Sequence, residues 1–167
     1  MSASGLGRQC ARNASPNMNQ DFKEFFASLN AKHVEYLIIG GVAFNFHAVP
    51  RATKDIDVWV GPSLANLRAF LAGLEEFGFA HAMSPSDLAH QECVLMLGRV
   101  PNRIDVLTRP SGLQWEPCWD NRVQANYDGE PVWFIAIGDL IEAKRAAGRP
   151  QDLADVSKLE TILKMRR

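Results

Sequence analysis

The fold is decided by residues 39–60, which read IGGVAFNFHAVPRATKDIDVWV. An apolar, β-branched run ends at the double glycine, and a second run of strand character starts with the D-I-D-V-W-V motif. Because side chains alternate between the two faces of a strand, Asp55 and Asp57 share one face and Ile56 lies on the other. The stretch therefore predicts two strands of a buried sheet, with two neighbouring carboxylates on its open face.

These carboxylates predict a metal site. Two carboxylates this close repel each other, and a bound cation removes that cost. Mg²⁺ prefers hard oxygen ligands and leaves positions for phosphate oxygens, so it is the cation that the pair favours. A third carboxylate, Asp105, lies in the apolar run R-I-D-V-L and faces away from Ile104 and Val106. Three such carboxylates favour a site for two ions, roughly 3.5–4 Å apart, whereas a solvated Asp-x-Asp at a strand end is the alternative for the pair alone.

The double glycine, Gly40-Gly41, separates the first strand from a predicted helix. Glycine lets the backbone approach a phosphate closely, and the N-terminus of a helix favours anions. The pair therefore predicts a phosphate-binding turn, although an ordinary turn would use the same two residues.

Hydrophobic spacing predicts an α/β (α+β) fold, a small mixed sheet with helices packed on one side and a C-terminal helical pair. The expected helices are 20–31, 42–49, 63–77, 138–148 and 152–165. The expected strands are 34–39, 51–60, 79–81, 93–97 and 104–107, with a hairpin that turns at Asp128-Gly129. Two segments, 84–91 and 109–122, are expected to be irregular.

The composition of the 167 residues, 47% hydrophobic and 22% charged, is that of one ordinary globular domain. We expect residues 1–18 to be a flexible tail and residues 19–167 to form the domain. A net charge of −1 excludes a broadly basic surface for nucleic acid, and no apolar run is long enough to predict a membrane span. Cys10, Cys93 and Cys118 lack a C-x-x-C pattern, which argues against structural zinc and disulfides and favours a cytoplasmic location.

The pattern GG-x13-D-x-D, followed by a third aspartate on a later strand, resembles the DNA polymerase β-type nucleotidyltransferases. Residues 40–60 are most similar to the branch that contains the minimal nucleotidyltransferases and the AbiEii-like toxins of bacterial toxin–antitoxin and abortive-infection systems. Residues 139–159, DLIEAKRAAGRPQDLADVSKL, are similar to that branch's K-x-x-A-x-R-x-x-D-x-x-D segment. The resemblance runs from about residue 33 to 160, and it departs at Ala48, where many relatives have glycine.

The resemblance implies a nucleotidyltransferase fold, a nucleoside triphosphate substrate and magnesium. Asp55 and Asp57 would hold the metal ions and the triphosphate. Asp105 would complete the site and help to activate the acceptor, and Gly40 and Gly41 would line the phosphates.

Two polar residues share the predicted carboxylate face. Arg51 is a candidate ligand of a phosphate and Thr53 of a nucleotide oxygen. The alternative for Arg51 is an ion pair with Asp55 or Asp57.

Four polar residues near the C-terminus also have two interpretations each. Lys144 lies on an apolar stripe, so it either extends to the helix edge or enters the site as a catalytic group that neutralises phosphate charge. Arg149 either binds the nucleotide or fixes the connection between the last two helices. Asp152 and Asp155 act on the acceptor side, or they are an N-cap and an acidic first turn.

The reaction that the resemblance implies is in-line attack of an acceptor hydroxyl on the α-phosphate, with pyrophosphate as the leaving group. We expect a protein or RNA acceptor in a toxin–antitoxin-like system, because few residues remain for a separate substrate domain. The alternatives are a lincosamide or aminoglycoside nucleotidyltransferase and a non-catalytic, antitoxin-like binding module. The oligomeric state stays open, and a homodimer is compatible with the sequence.

Overall fold

The structure is a computed structural model that describes residues 20–90, 94–99 and 102–167. These residues form seven helices and six strands. In chain order the elements are α1 (Gln20–Ala31), β1 (Tyr36–Ile39), α2 (Gly40–His47), β2 (Asp55–Val60), α3 (Leu64–Glu76), α4 (Pro85–His90), β3 (Val94–Leu97), β4 (Arg103–Leu107), α5 (Trp115–Asp120), β5 (Val123–Tyr127), β6 (Glu130–Phe134), α6 (Ile137–Ala147) and α7 (Pro150–Met165).

The six strands form one mixed sheet in the order β3-β4-β2-β1-β6-β5. Strand β2 runs parallel to β4 and β1 runs parallel to β6, whereas the other neighbours are antiparallel. The β5–β6 hairpin turns at Asp128 and Gly129, and both residues have the positive φ that a tight two-residue hairpin turn requires. The predicted fold class, a small mixed sheet with packed helices, is therefore confirmed, but the helices pack on both faces of the sheet and not on one side only.

The register of β2 against β4 places the predicted carboxylates together. Asp57 lies opposite Asp105, and Ile56 lies opposite Ile104. Because neighbouring residues point to opposite faces, the two isoleucines lie on one face, where both are buried, and the two aspartates lie on the other. The sheet thus has an apolar face and a carboxylate face.

Helix α1 covers the apolar face, where Phe26 stacks on Tyr36 at a centroid distance of 5.3 Å. Helix α3 lies close beside α1, since a Cβ added at Gly73 would lie 3.1 Å from Leu29. On the carboxylate face, α5 packs Trp115 edge-on against Trp59. The C-terminal pair α6–α7 borders the same face beyond Asp57, so a cleft remains between the pair and the sheet.

Some predicted boundaries and elements are wrong. No strand forms at 79–81, and the segment 84–91 contains α4 instead of an irregular loop. Ser84 and Asp87 explain α4, because each side chain accepts a hydrogen bond from the other's backbone N–H. The segment 109–122 contains α5, whose Trp115 is buried.

The predicted strand at 51–60 begins only at Asp55, because Arg51 is tied to α2. The side chain of Asn45 donates to the Arg51 carbonyl at 2.7 Å and accepts from the Arg51 N–H at 3.1 Å. This pair of bonds holds the preceding loop against the helix. Helix α2 itself starts at Gly40, two residues earlier than the spacing predicts.

Within the described part of the chain, no helix combines the length and the apolar character that a membrane crossing requires. Cys118 is a buried free thiol, and burial is the main reason that its pKa is raised to about 11. The expected tail, together with Cys10 and Cys93, lies outside the described residues.

Candidate active site

Three carboxylates converge on the open face of the sheet. They are Asp55, Asp57 and Asp105, which together form the triad. Each of them offers an oxygen, and these oxygens all lie within 4.8 Å of one another. The predicted convergence is therefore present, and it follows from the parallel pairing of β2 with β4.

The glycine at position 40 is required by the contact with Asp57. Gly40 has a φ of +66°, a conformation that side chains rarely adopt, and a Cβ there would lie 2.1 Å from Asp57 Oδ2. A Cβ at Gly41 would lie 3.2 Å from the methyl group of Thr53, which places Thr53 beside the second glycine. The double glycine thus gives the carboxylates room at the start of α2.

Too little positive charge surrounds these three carboxylates. Burial, followed by the charges of Asp55 and Asp105, raises the pKa of Asp57 to about 7, although Arg103 and Lys144 offset part of the effect. Burial also raises the pKa of Asp105, against the lowering influence of Arg103. Hard carboxylate oxygens that gather in this way fit the ligand preference of Mg²⁺.

Arg103 is a site residue that the sequence prediction did not assign. One terminal nitrogen of its guanidinium donates to Asp55 Oδ2 at 2.7 Å and to Asp105 Oδ2 at 3.0 Å. Its Nε lies 2.9 Å from Asp105 Oδ1. The R-I-D motif was the available signal, because alternation puts Arg103 on the same face as Asp105.

A second acidic cluster, formed by Asp152 and Asp155, lies across the cleft. It is called the saturated cluster, because both of its carboxylates are paired with lysine or arginine side chains. Asp155 is fully buried and accepts two hydrogen bonds from Arg51, at 2.6 and 2.8 Å, and one from Gln151 at 3.0 Å. Lys144 Nζ lies 2.8 Å from its Oδ2. Burial raises the pKa of Asp155, but the bonds from Arg51, Lys144 and Gln151 outweigh it and lower that pKa to about 2.

Two cations of this cluster, Arg51 and Lys144, also lie near the same aromatic ring. The Arg51 guanidinium lies 4.4 Å from the ring centroid of Phe44, and Lys144 Nζ lies 5.8 Å from it. Arg51 therefore pairs with Asp155 and not with Asp55 or Asp57, so the ion pair considered in the alternative interpretation is wrong.

Asp152 is a buried member of the same cluster. It accepts a hydrogen bond from Arg149 Nε at 2.7 Å, and Lys144 Nζ lies 3.6 Å from its other oxygen. Arg149, not Asp152, is the N-cap residue of α7, and it makes no side-chain cap. The N-cap interpretation of Asp152 is therefore wrong, whereas its place in the first turn is as expected.

The cleft between the two clusters has a volume of about 440 Å³. Gly40, Gly41 and Asp57 lie on its sheet side, and Arg51, Lys144 and Arg149 lie on its helix side. Its rim includes Pro110 and Ser111, whose loop is fixed against α6, because a Cβ at Gly112 would lie 2.5 Å from that of Ala146. A cleft with Asp57 on one wall, next to Asp55 and Asp105, and with cations on the other suits a ligand that carries both metal ions and phosphates.

Comparison with known proteins agrees with this geometry. Residues 17–165 match the family described as "Nucleotidyltransferase of unknown function (DUF6036)". The chain belongs to this nucleotidyltransferase family. A comparison with curated proteins finds no match.

Solved structures of nucleotidyltransferase type are similar to this member of the family. An antigenic nucleotidyltransferase-like protein from Paracoccidioides brasiliensis superposes with a TM-score of 0.52 at 18% identity, over 87% of this chain and 75% of that one. The antibiotic-resistance factor ANT(2'')-Ia gives a TM-score of 0.49 at 15% identity, over 86% of this chain and 82% of that one. At this level of identity the first likeness shows the fold.

Proposed function

We propose that the protein is a magnesium-dependent nucleotidyltransferase that moves a nucleoside monophosphate from a triphosphate to an acceptor hydroxyl. The observation that carries the proposal is the convergence of Asp55, Asp57 and Asp105 beside a cation-lined cleft. These three aspartates would hold the metal. When bound, magnesium supplies charge neutralisation at the phosphate oxygens and at the attacking hydroxyl.

The helix side of the cleft supplies the remaining positive charge in this proposal. Lys144 and Arg51 are held by Asp155, so their positions are set before a nucleotide arrives. Cations that are already oriented stabilise the charge on a transferring phosphoryl group without the cost of reorganisation. Asp152 and Asp155 then act on the nucleotide side, as anchors of these cations. That assignment differs from an acceptor-side role, because both oxygens of Asp155 are already engaged.

The size of the cleft favours a macromolecular acceptor. Pockets of roughly 300–1,000 Å³ enclose one small ligand, and about 440 Å³ is room for one nucleotide. The segment 109–122 contributes only Pro110 and Ser111 to the lining of this cleft, since Trp115 and Cys118 of α5 are buried in the core. A protein or RNA acceptor brings its own surface to the open triad and needs no enclosed pocket.

We further propose that the activity serves in a toxin–antitoxin-like pair. The support is the resemblance of residues 40–60 and 139–159 to the AbiEii-like branch. The partner in that arrangement is a protein or RNA that receives the nucleotide or controls the transfer.

The test is to incubate the purified chain with Mg²⁺, each α-labelled nucleoside triphosphate in turn and a host lysate. Asp57→Asn is the inactive variant, and Asp120→Asn, an exposed carboxylate of α5, is the matched control. Label on a protein or RNA band that requires Asp57 supports the proposal. Label only on an added lincosamide or aminoglycoside, with drug resistance in cells, contradicts the macromolecular acceptor. Absence of any label and of nucleotide binding contradicts catalysis and leaves a non-catalytic binding module.

A further inference from the structure

The guanidinium of Arg103 lies among the carboxylates that would hold the metal. It contacts Asp55 Oδ2 at 2.7 Å and Asp105 Oδ2 at 3.0 Å, and its Nε lies 2.9 Å from Asp105 Oδ1. The side chain of Arg103 keeps 32% of its surface exposed, compared with 13% for that of Asp105. The arginine thus bridges two of the three carboxylates while one side of it faces solvent.

The register of the two strands brings Arg103 within reach of both carboxylates. Arg103 lies directly opposite Asp55 in the parallel β2–β4 pair, and it precedes Asp105 by two residues on the same face. Its side chain therefore either crosses to the two carboxylates or turns out into solvent. In the part of the chain that the structure describes, Asp57 has no ion-pair partner, so the arginine neutralises only part of the triad.

A divalent cation would meet the same oxygens. Mg²⁺ binds carboxylate oxygens at about 2.0–2.1 Å with strict octahedral geometry, so an ion shared by Asp55 and Asp105 would lie close to the guanidinium. Two positive charges that use the same oxygens weaken each other's binding. Because one side of Arg103 faces solvent, the arginine has a path by which to give up these oxygens.

We propose that Arg103 is the internal counter-ion of the metal site, a positioning residue that holds Asp55 and Asp105 together without metal and competes with a divalent cation for their oxygens. The inference rests on the proposed function, because it assumes that the triad binds metal. In this role the arginine sets the affinity of the site for metal, and it stabilises a strand pair that would otherwise carry three unneutralised carboxylates.

The experiment measures Mn²⁺ binding to the full chain by calorimetry, without nucleotide, together with the melting temperature with and without Mn²⁺. Arg103→Gln should bind Mn²⁺ about tenfold more tightly than the wild type, since the competing charge is gone. Its melting temperature without metal should fall, and its rise on addition of Mn²⁺ should exceed that of the wild type.

Two further variants complete the test. Lys54→Gln is the matched control, because it removes the same charge next to Asp55 from an exposed side chain that forms no ion pair among the described residues. Its affinity for Mn²⁺ should stay within about twofold of the wild type, since exposed charges are well screened. Arg103→Lys keeps the charge but loses the planar fork that bridges two carboxylates, so its affinity should lie between those of the wild type and Arg103→Gln.

The outcomes separate this inference from the proposed function. If the wild type binds Mn²⁺ and Arg103→Gln binds it no more tightly than Lys54→Gln does, the competition is absent and the inference is wrong. If Arg103→Gln does not fold, a wild-type affinity in Arg103→Lys likewise shows that the inference is wrong. If the wild type, Arg103→Gln and Arg103→Lys all fail to bind Mn²⁺, the metal site of the proposed function is wrong as well.

Discussion

Two acidic clusters face each other across one cleft, and they differ in their share of positive charge. In the triad, Arg103 contacts two of three carboxylates, and the pKa of Asp57 is raised to about 7 by burial and by its acidic neighbours. Across the cleft, Asp155 is engaged by Arg51, Lys144 and Gln151, which outweigh its burial and lower its pKa to about 2. The first cluster has one cation, Arg103, for three carboxylates, whereas both carboxylates of the second are paired with lysine or arginine.

The difference shows that the partners of an aspartate, and not its burial alone, decide the direction in which its pKa shifts. A carboxylate that is crowded by like charge binds a cation from solution, whereas one that is enclosed by lysine and arginine holds those side chains in place. The first arrangement suits metal binding, and the second suits the orientation of phosphate ligands. Substitutions in the two clusters should therefore have opposite consequences for activity and for stability.

The largest expected effect is on activity in the triad. Asp57→Asn should lower nucleotidyl transfer on the order of a thousandfold, because it removes charge that the metal and the transition state require. In metal-free buffer its free energy of unfolding should be no lower than that of the wild type, since the amide relieves like-charge repulsion. Labelled-nucleotide transfer and urea unfolding with a chelator test the two expectations. Unchanged turnover would remove Asp57 from the site, and an unfolded variant would make it a structural carboxylate.

The next effect is on stability in the saturated cluster. Asp155→Asn should lower the free energy of unfolding by about 3 kcal/mol, because the buried Lys144 and the partly buried Arg51 lose the carboxylate with which both of them pair. The control is Asp128→Asn, since that side chain is 73% exposed and pairs with Lys23 at the surface, where less than about 1 kcal/mol is expected. Urea unfolding at neutral pH measures both. Equal losses in the two variants would contradict the contrast between the clusters.

A smaller effect on the free energy of unfolding is expected when the pH is lowered. The pKa of Asp155 is about 2 in the folded chain, against about 3.9 for an ordinary aspartate. A depressed pKa contributes stability above the unfolded value, and about 2 kcal/mol of that contribution is lost as the pH falls from about 4 to 2. Over this window the wild type should lose its advantage over Asp155→Asn in urea unfolding. A constant difference between the two proteins would show that Asp155 does not titrate as this cluster requires.

The sequence predicts the triad better than the saturated cluster, for a physical reason. Alternation along β2 and β4 is a local property, so the shared face of Asp55, Asp57 and Asp105 follows from spacing alone. The Arg51–Asp155 pair joins residues 104 positions apart, and only the packing of α7 against α2 brings them together. A pattern of residues within one element carries no information on such a partner.

The same distinction explains the errors in the predicted fold. The long periodic helix α1 was predicted with its observed bounds, and the bounds of α3, α6 and α7 were predicted to within two residues. The short helix α4 depends on a reciprocal cap by Ser84 and Asp87, and α5 depends on the contact of Trp115 with Trp59. Neither helix has an apolar stripe long enough to be recognised, so segments 84–91 and 109–122 were expected to be irregular.

The smallest expected effect concerns Arg149, the exposed cation of the saturated cluster. Its side chain is 78% exposed and pairs with Asp152 at 2.7 Å. Lys144 lies 3.6 Å from that carboxylate and remains after the substitution. Arg149→Gln should therefore lower the free energy of unfolding by less than about 1 kcal/mol.

The consequence for nucleotide binding should also be modest, because Arg149 lines the cleft with a largely exposed side chain, so that water screens its charge. We expect KM for the nucleoside triphosphate to rise about threefold to tenfold with little change in kcat, the pattern of a contact made equally in the ground and transition states. Arg145→Gln is the matched control, since Arg145 pairs with Glu142 and Glu160 away from the cleft and should leave KM unchanged. Steady-state transfer assays at varied nucleotide concentration distinguish the outcomes. A large fall in kcat would place Arg149 on the transition state, whereas an unchanged KM would make it only a link between α6 and α7.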